Sequence, residues 1–269
     1  MHNQNAAGFA SAVKRDLGER KRKMGKDGIE QGKKKKHTAI VLAAGKGTRM
    51  QADIPKQYLE LNGRPVLYYS LKAFEESFVD EIILVTGKNE AEYCKSRIVD
   101  RYGFHKVTHI VAGGAERFLS VYQGLLAAKD ADYVYIHDGA RPFLTDDILR
   151  RARQSVLEYG ACAAGMPVKD TIKIVDERDF AVRTPDRKFV WMVQTPQVFA
   201  YAPVKEAYDR LLQQAQEIAV TDDAMVVETM LEKKVKLFFG SYENIKITTP
   251  EDLQIAEKLL EQYSQEKNE

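Results

Sequence analysis

The stretch VLAAGKGTRM, Val41 to Met50, sets two glycines and two cations directly after an apolar run. That is where an α/β protein carries a phosphate-binding loop. Two familiar loop types are excluded. A Walker loop needs Gly-Lys followed by Ser or Thr and another Gly five positions earlier, whereas Gly45-Lys46 is followed by Gly47 and position 40 is Ile. The dinucleotide fingerprint needs a third small residue where Met50 stands.

Working outward from His37, short β-rich runs alternate with segments of helical spacing. TAIVLAA reads as a strand, PVLYYSLKAFEES as a helix, EIILVTG as a strand and NEAEYCKSRIVDRYG as a polar helix. The strand KVTHIVAG, the helix ERFLSVYQGLLAAK and the strand DYVYIHD continue the rhythm into GARP. Strands alternating with helices of ten or more residues predict an α/β fold, a Rossmann-like three-layer α/β/α arrangement around a mostly parallel sheet. Ligands then sit at the carboxyl ends of the strands.

At 269 residues with 44 % hydrophobic content, the chain can bury a large core. Cys94 and Cys162 lie far apart and form no CxxC, which argues against a disulfide framework or a zinc site and for a reducing, cytoplasmic setting. No apolar run approaches the length of a membrane span, and no signal-peptide core is visible. The formal charge of +2 hides an asymmetry: residues 1–36 hold 11 Lys or Arg against 4 Asp or Glu, or +7, which leaves −5 for the rest. A body of that sign is not built to coat nucleic acid. Residues 1–36 are read as a disordered basic extension and 37–269 as the folded domain.

Two loops carry candidate chemistry. In AGGAERFLSV, Gly113 and Gly114 follow a strand and open a helix, so they form either a tight turn or a site where amides meet a ligand. In HDGARP, Asp138 and Arg141 stand at a strand's carboxyl end, as an ordinary loop ion pair or as ligand-binding groups. Beyond Cys162, TIKIV and KFVWMV read as extended runs of a β-arm, about 169–194, whose Phe189, Val190 and Trp191 exceed what a lone hairpin can bury. Helices are expected at VKEAYDRLLQQAQ and TDDAMVVETMLEKK, a strand at VKLFFG, and a last helix opened by Thr249 as cap and Pro250 as first residue.

Eight motifs in order, AAGKGTRM, PKQY, GGAERFLSV, HDGARP, PVKDTIK, DRKFVWMVQTPQ, TDDA and NIKITTPEDL, resemble the methylerythritol phosphate cytidylyltransferases, a branch of the sugar-nucleotide type nucleotidyltransferases. The resemblance spans about residues 38–262. It implies transfer of a cytidylyl group from CTP to methylerythritol phosphate with release of pyrophosphate, assisted by Mg²⁺ or another divalent cation. Such chemistry asks for cations and amides around two anionic reactants rather than for a protein nucleophile.

Carried over by position, the resemblance assigns catalysis to Arg49, Lys56, Arg187 and Lys246. CTP contacts fall on Ala43, Ala44, Gly45, Gly47, Gly114, Ala115, Ser120, Asp138 and Gly139, with Asp138 also next to the metal. Contacts to the second substrate fall on Arg141, Thr171, Arg187, Thr195, Thr221 and Lys246. Thr171 and Arg187 belong to the arm, which in this family reaches the neighbouring subunit's site, so a homodimer is implied. Arg117 matches a motif without an assigned role, and Lys46 touches phosphate or faces solvent. The rival reading is a cytidylyltransferase for ribitol 5-phosphate. PVKDTIK and a Trp three residues before QTPQ separate this chain from it, and a nucleotide-binding module without turnover is disfavoured because every charge-stabilising position is filled.

Overall fold

The computed structural model describes residues 34–45, 54–214 and 218–266. The chain divides into a unit ending at Lys34 and a second one from Lys35 to Glu269, which contains all the elements below. Its strands are β1 (His37–Ala43), β2 (Glu60–Leu61), β3 (Arg64–Pro65), β4 (Glu81–Thr86), β5 (Val107–Ala112), β6 (Tyr133–Asp138), β7 (Ala161–Pro167), β8 (Ile174–Val175), β9 (Ala181–Arg183), β10 (Trp191–Ala200) and β11 (Lys236–Phe239). Its helices are α1 (Val66–Glu75), α2 (Ala91–Cys94, running on through Lys95–Val99 and Asp100–Tyr102), α3 (Arg117–Ala127), α4 (Asp146–Tyr159), α5 (Tyr201–Gln213), α6 (Asp223–Leu231) and α7 (Pro250–Glu266).

Seven strands form one sheet in the order β11-β7-β10-β6-β1-β4-β5. β1 pairs in parallel with β4 and β6, and β4 with β5, as the strand–helix alternation predicts. β10 runs antiparallel to both β6 and β7, and β11 is parallel to β7, so the sheet is mixed but mostly parallel. β1 is buried on both faces, which is why TAIVLA reads as a continuous apolar run instead of an alternating one. Ala39, Val41 and Ala43 face a core built with Leu67 and Phe74 of α1, Ile98 of α2 and Leu149 of α4. Ile40 faces the opposite core, with Val121 and Leu125 of α3, Tyr208 of α5 and Val227 of α6. Two apolar layers on one sheet make the three-layer arrangement.

Helix α4 and strand β7 extend the pattern read from the sequence. Thr145 caps α4 by accepting from the Ile148 N–H, Asp146 and Asp147 fill its first turn, and Gly160 closes it at φ 74°. These are ordinary start and stop signals. α7 begins at Pro250 as expected, and the two amides just ahead of it, those of Thr248 and Thr249, donate to the Asp252 side chain at 2.8 and 2.9 Å. Lys36, the last residue of the basic run, is tied to the body: its N–H donates to Asp132 and its ammonium pairs with the buried Glu81 at 2.7 Å.

The extended runs read at 171–175 and 188–193 are shorter than expected. Only Ile174–Val175 and Ala181–Arg183 pair as a hairpin, and Arg187–Phe189 form a 3₁₀ turn capped by the Asp186 side chain. Phe180, Val182 and Phe189 are exposed on this segment. Trp191 differs from its reading, since it lies in β10 and packs on Phe239 with ring centroids 4.9 Å apart.

The helix–sheet contact is tight enough to specify residue size. A Cβ at Gly124 of α3 would lie 2.4 Å from Ile40 Cγ2 on β1. Gly124→Ala should therefore cost about 1–3 kcal/mol despite the better helix propensity of Ala. The check is a lowered urea midpoint with an unchanged slope, and an unaltered midpoint would show that the layers can separate freely.

Candidate active site

β6 is a largely apolar strand, parallel to β1, that carries His137 and Asp138 at its carboxyl end, beside the last residues of β1. The Asp138 carboxylate is nearly buried, and each oxygen meets a different cation. Oδ1 accepts from Arg117 Nε at 3.2 Å, and Oδ2 is 2.8 Å from Lys246 Nζ. Burial alone would raise its pKa, but the charges of Arg117, Lys246 and Arg141 outweigh it and hold the carboxyl well below the usual range. Asp138 therefore stays ionised.

Arg141 is not the ion-pair partner suggested by HDGARP. Its Nη1 donates to the Asn244 carbonyl at 2.7 Å and its buried Nε has no partner among the described residues, so it acts on Asp138 only through its charge. Burial lowers its pKa, with Asp138 opposing the shift. Segment 244–247 is the seam of the site. Ile247 donates its N–H to the Ala140 carbonyl at 2.9 Å and accepts Lys56 Nζ at 2.9 Å on its own carbonyl. Lys56 from the loop after β1, Arg141 from the loop after β6 and Lys246 are thus gathered along one strip of backbone.

Thr195 connects this cluster to β10. The β10–β7 register shifts between Val193 and Gln197, and in that irregular stretch Gln194 and Thr195 turn inward and are buried. Thr195 Oγ1 accepts the Asp138 N–H at 3.1 Å and lies 3.1 Å from His137 Nδ1, while His137 Nε2 is 3.3 Å from the Arg141 carbonyl. A carbonyl can only accept, so Nε2 carries the proton and Thr195 donates to Nδ1. Asn244 donates to the Thr195 carbonyl at 2.8 Å, and Gln194 donates to the Ser241 carbonyl at 2.7 Å.

The nucleotide-loop candidates fall partly outside the described residues: Lys46, Gly47 and Arg49 lie there, as do residues 1–33 of the basic extension read over 1–36. Ala43 ends β1, and its carbonyl accepts the buried Gln57 side chain at 2.6 Å; Gly45 is exposed and open. Gly113 and Gly114 are required by packing. A Cβ on Gly113 would meet Ala44 Cβ and Ser120 Oγ at 2.6 Å, and one on Gly114 would meet Leu119 Cβ at 2.3 Å. Their amides are engaged too, Gly113 with the Thr86 carbonyl and Gly114 with Ser120 Oγ. Ala115 is exposed at the mouth of this turn, and Gly139 packs against Leu67 and the Leu42 carbonyl, to which its N–H donates.

Other candidates make no hydrogen bond or ion pair with Asp138 among the described residues. Thr171 and Arg187 lie exposed on the 168–190 segment, where Arg187 Nη1 donates to the Lys169 carbonyl at 3.1 Å. Thr221 is exposed just ahead of α6, with its hydroxyl on Met225 Sδ. The sequence reading missed Asp223 and Tyr208. Arg117 forks onto Asp223 with Nη1 and Nη2 both at 2.9 Å, and Tyr208 Oη donates to Asp223 at 2.6 Å. The TDDA motif was the signal for Asp223, whereas nothing local marks Tyr208.

Among the described residues no three His, Cys, Asp or Glu side chains group as a metal cage. Asp223 is fully buried and engaged, so Asp138 is the carboxylate left at the site. A single carboxylate suits a hard divalent cation that keeps water and takes its other oxygens from phosphates. Cys94 and Cys162 are free and buried, and burial pushes their thiols up to about 11 and about 12, which leaves no thiolate near neutral pH. No described helix is long and apolar enough to cross a membrane.

Burial also pulls His137 down to about 4, with the Asp138 charge opposing the shift. Between the ordinary value of 6.5 and about 4, the unfolded chain binds a proton that the folded one does not. Stability from this group is complete above that window, falls as pH drops through it by about 3 kcal/mol, and levels off below. His137→Gln should flatten the slope of urea-derived stability between pH 7 and 4. An unchanged slope would place the titration elsewhere.

A family model described as 2-C-methyl-D-erythritol 4-phosphate cytidylyltransferase (IspD) matches residues 37–262. The protein of that name from Lachnospira eligens is 55 % identical over 221 residues, which cover 82 % of this chain and 97 % of that one. Its namesake from Alkaliphilus oremlandii is 49 % identical over 227 residues, covering 84 % and 95 %. The crystal structure of 4-diphosphocytidyl-2C-methyl-D-erythritol synthase from Anaerococcus prevotii superposes with a TM-score of 0.75 at 35 % identity, covering 84 % of this chain and 96 % of that one. The matched span runs from β1 into α7 and holds Lys56, Arg117, Asp138, Arg141, Asp223 and Lys246 together. The chain belongs to the 2-C-methyl-D-erythritol 4-phosphate cytidylyltransferase family.

Proposed function

We propose that the cluster around Asp138 and the 244–247 seam is where this enzyme transfers a cytidylyl group. The reaction is CTP-dependent cytidylylation of 2-C-methyl-D-erythritol 4-phosphate in non-mevalonate isoprenoid biosynthesis, giving 4-diphosphocytidyl-2-C-methyl-D-erythritol and pyrophosphate. The observation that supports this placement is the convergence of Lys56, Arg141 and Lys246 on one backbone strip beside an ionised carboxylate.

Two anions must approach in line, the substrate phosphate and the α-phosphate of CTP. The phosphate oxygen is already ionised at neutral pH, so no general base is needed, and His137, neutral and locked between Thr195 and the Arg141 carbonyl, is not one. In our reading Lys56 and Arg49 neutralise charge gathering at the α-phosphorus, while Lys246 and Arg141 orient the second phosphate. Ala43, Ala44, Gly45, Gly47, Gly114, Ala115, Ser120 and Gly139 line the nucleotide's path, with Thr195 and Thr221 serving the second substrate. A divalent cation, Mg²⁺ or another, held by Asp138 and the nucleotide phosphates would neutralise the triphosphate and its departing pyrophosphate.

We further read the active unit as a homodimer in the cytoplasm, in which Thr171 and Arg187 of the arm complete the neighbouring site. The exposure of Phe180, Val182 and Phe189, and an Arg187 that is itself exposed and bonded to the Lys169 carbonyl rather than to Asp138, support this.

Pyrophosphate release with CTP should be fastest with methylerythritol phosphate in a panel that includes ribitol and glycerol phosphates. Faster turnover of ribitol phosphate would reassign the substrate. In the same assay Lys56→Ala should lower kcat about 100-fold or more with a smaller change in KM for CTP. A rise in KM alone would make Lys56 a uniform binder.

Lys56→Ala and Arg187→Ala, each inactive alone, should regain partial activity when mixed as heterodimers. No recovery in verified heterodimers would refute a site shared between subunits.

A further inference from the structure

Arg117 touches Asp138 in an unusual way. Its two-pronged end, the part best suited to grip a carboxylate, is turned away onto Asp223, and only Nε reaches Asp138, at the longer distance of 3.2 Å. Asp223 is wholly buried, so it meets neither substrate directly. It is itself held firmly. Tyr208 Oη donates to the same oxygen that accepts Arg117 Nη1, and Asp223 is the first residue of α6, whose start is stitched to β10 by Gln197. Gln197 donates to Asp222 at 3.0 Å and accepts the Ala224 N–H at 2.8 Å.

A guanidinium released from Asp223 would have every electrostatic reason to fork around Asp138. It would then take Oδ2, which now meets Lys246 alone, as well as Oδ1, and close the carboxylate's remaining lone pairs to the nucleotide. We propose that Asp223, braced by Tyr208, is a positioning residue that keeps the fork of Arg117 off Asp138, so that lone pairs of the Asp138 carboxylate stay open to CTP. The inference rests on the reading of Asp138 as a nucleotide-contacting group. It extends the site to residues that never touch a reactant.

The test is a double-mutant cycle read by steady-state kinetics and by calorimetric binding of CTP alone. Asp223→Asn should lower kcat/KM for CTP by about 10- to 100-fold, the range found when the partner of a site residue is removed. Asp138→Asn should be impaired, and adding Asp223→Asn to it should cost little more in rate or in CTP affinity, because the two act through one group. If the losses multiply, Asp223 contributes only to general stability and the inference is wrong while the Asp138 assignment survives. If Asp138→Asn alone matches wild type, the underlying reading falls and the inference with it. Tyr208→Phe serves the same cycle if Asp223→Asn does not fold: its smaller loss should vanish in the Asp138→Asn background, and persistence there would overturn the proposal.

Discussion

A carboxylate removed from water must be compensated at close range or it takes up a proton, and Asp138 is the place where this enzyme meets that demand. Its oxygens are shared between Arg117 and Lys246, and Arg141 adds charge nearby. Each of those cations is in turn fixed by something else: Arg117 by Asp223, Arg141 by the Asn244 carbonyl, Lys246 by its place on the 244–247 seam. Loosening any one of them would alter the charge balance of the whole site.

The fold makes this arrangement possible by bringing distant segments to the carboxyl end of β6, in the middle of the sheet. β6 delivers Asp138, α3 delivers Arg117, and the irregular stretch of β10 turns Thr195 inward to hold the Asp138 amide and His137. The final segment before α7 then crosses the strand ends and picks up Lys56. The proposed chemistry suits that geometry: cations and an ionised carboxylate would surround two phosphates, a reaction that asks for neither a thiolate nor a base.

Much of this was legible in the chain because strands buried on both faces read as apolar runs, as β1 does throughout and β6 does up to His137. Asp138 was visible as a charged residue closing one of them. The Arg117–Asp223 pair was not, since its partners lie 106 residues apart and meet only through packing. Gly113 and Gly114 could be read as a tight turn or as a ligand site, and the crowding by neighbouring side chains where a Cβ would stand comes from packing that no local pattern shows. Trp191 resembled an arm residue because periodicity cannot distinguish a short hairpin from the start of a long sheet strand, and its packing on Phe239 comes from β11 far along the chain. Helix α4 is signalled by Thr145, Asp146, Asp147 and Gly160 and continues the strand–helix alternation between β6 and β7.

The central claim is that Asp138 remains ionised in a nearly buried position because cations surround it. Carboxyl ¹³C NMR of the aspartate-labelled protein, with Asp138 assigned by difference from Asp138→Asn, measures this directly between pH 7 and the onset of acid unfolding. The account predicts no titration of that resonance anywhere in the folded range. A midpoint at about 4 or above, the ordinary value for a solvated aspartate or higher, would contradict it.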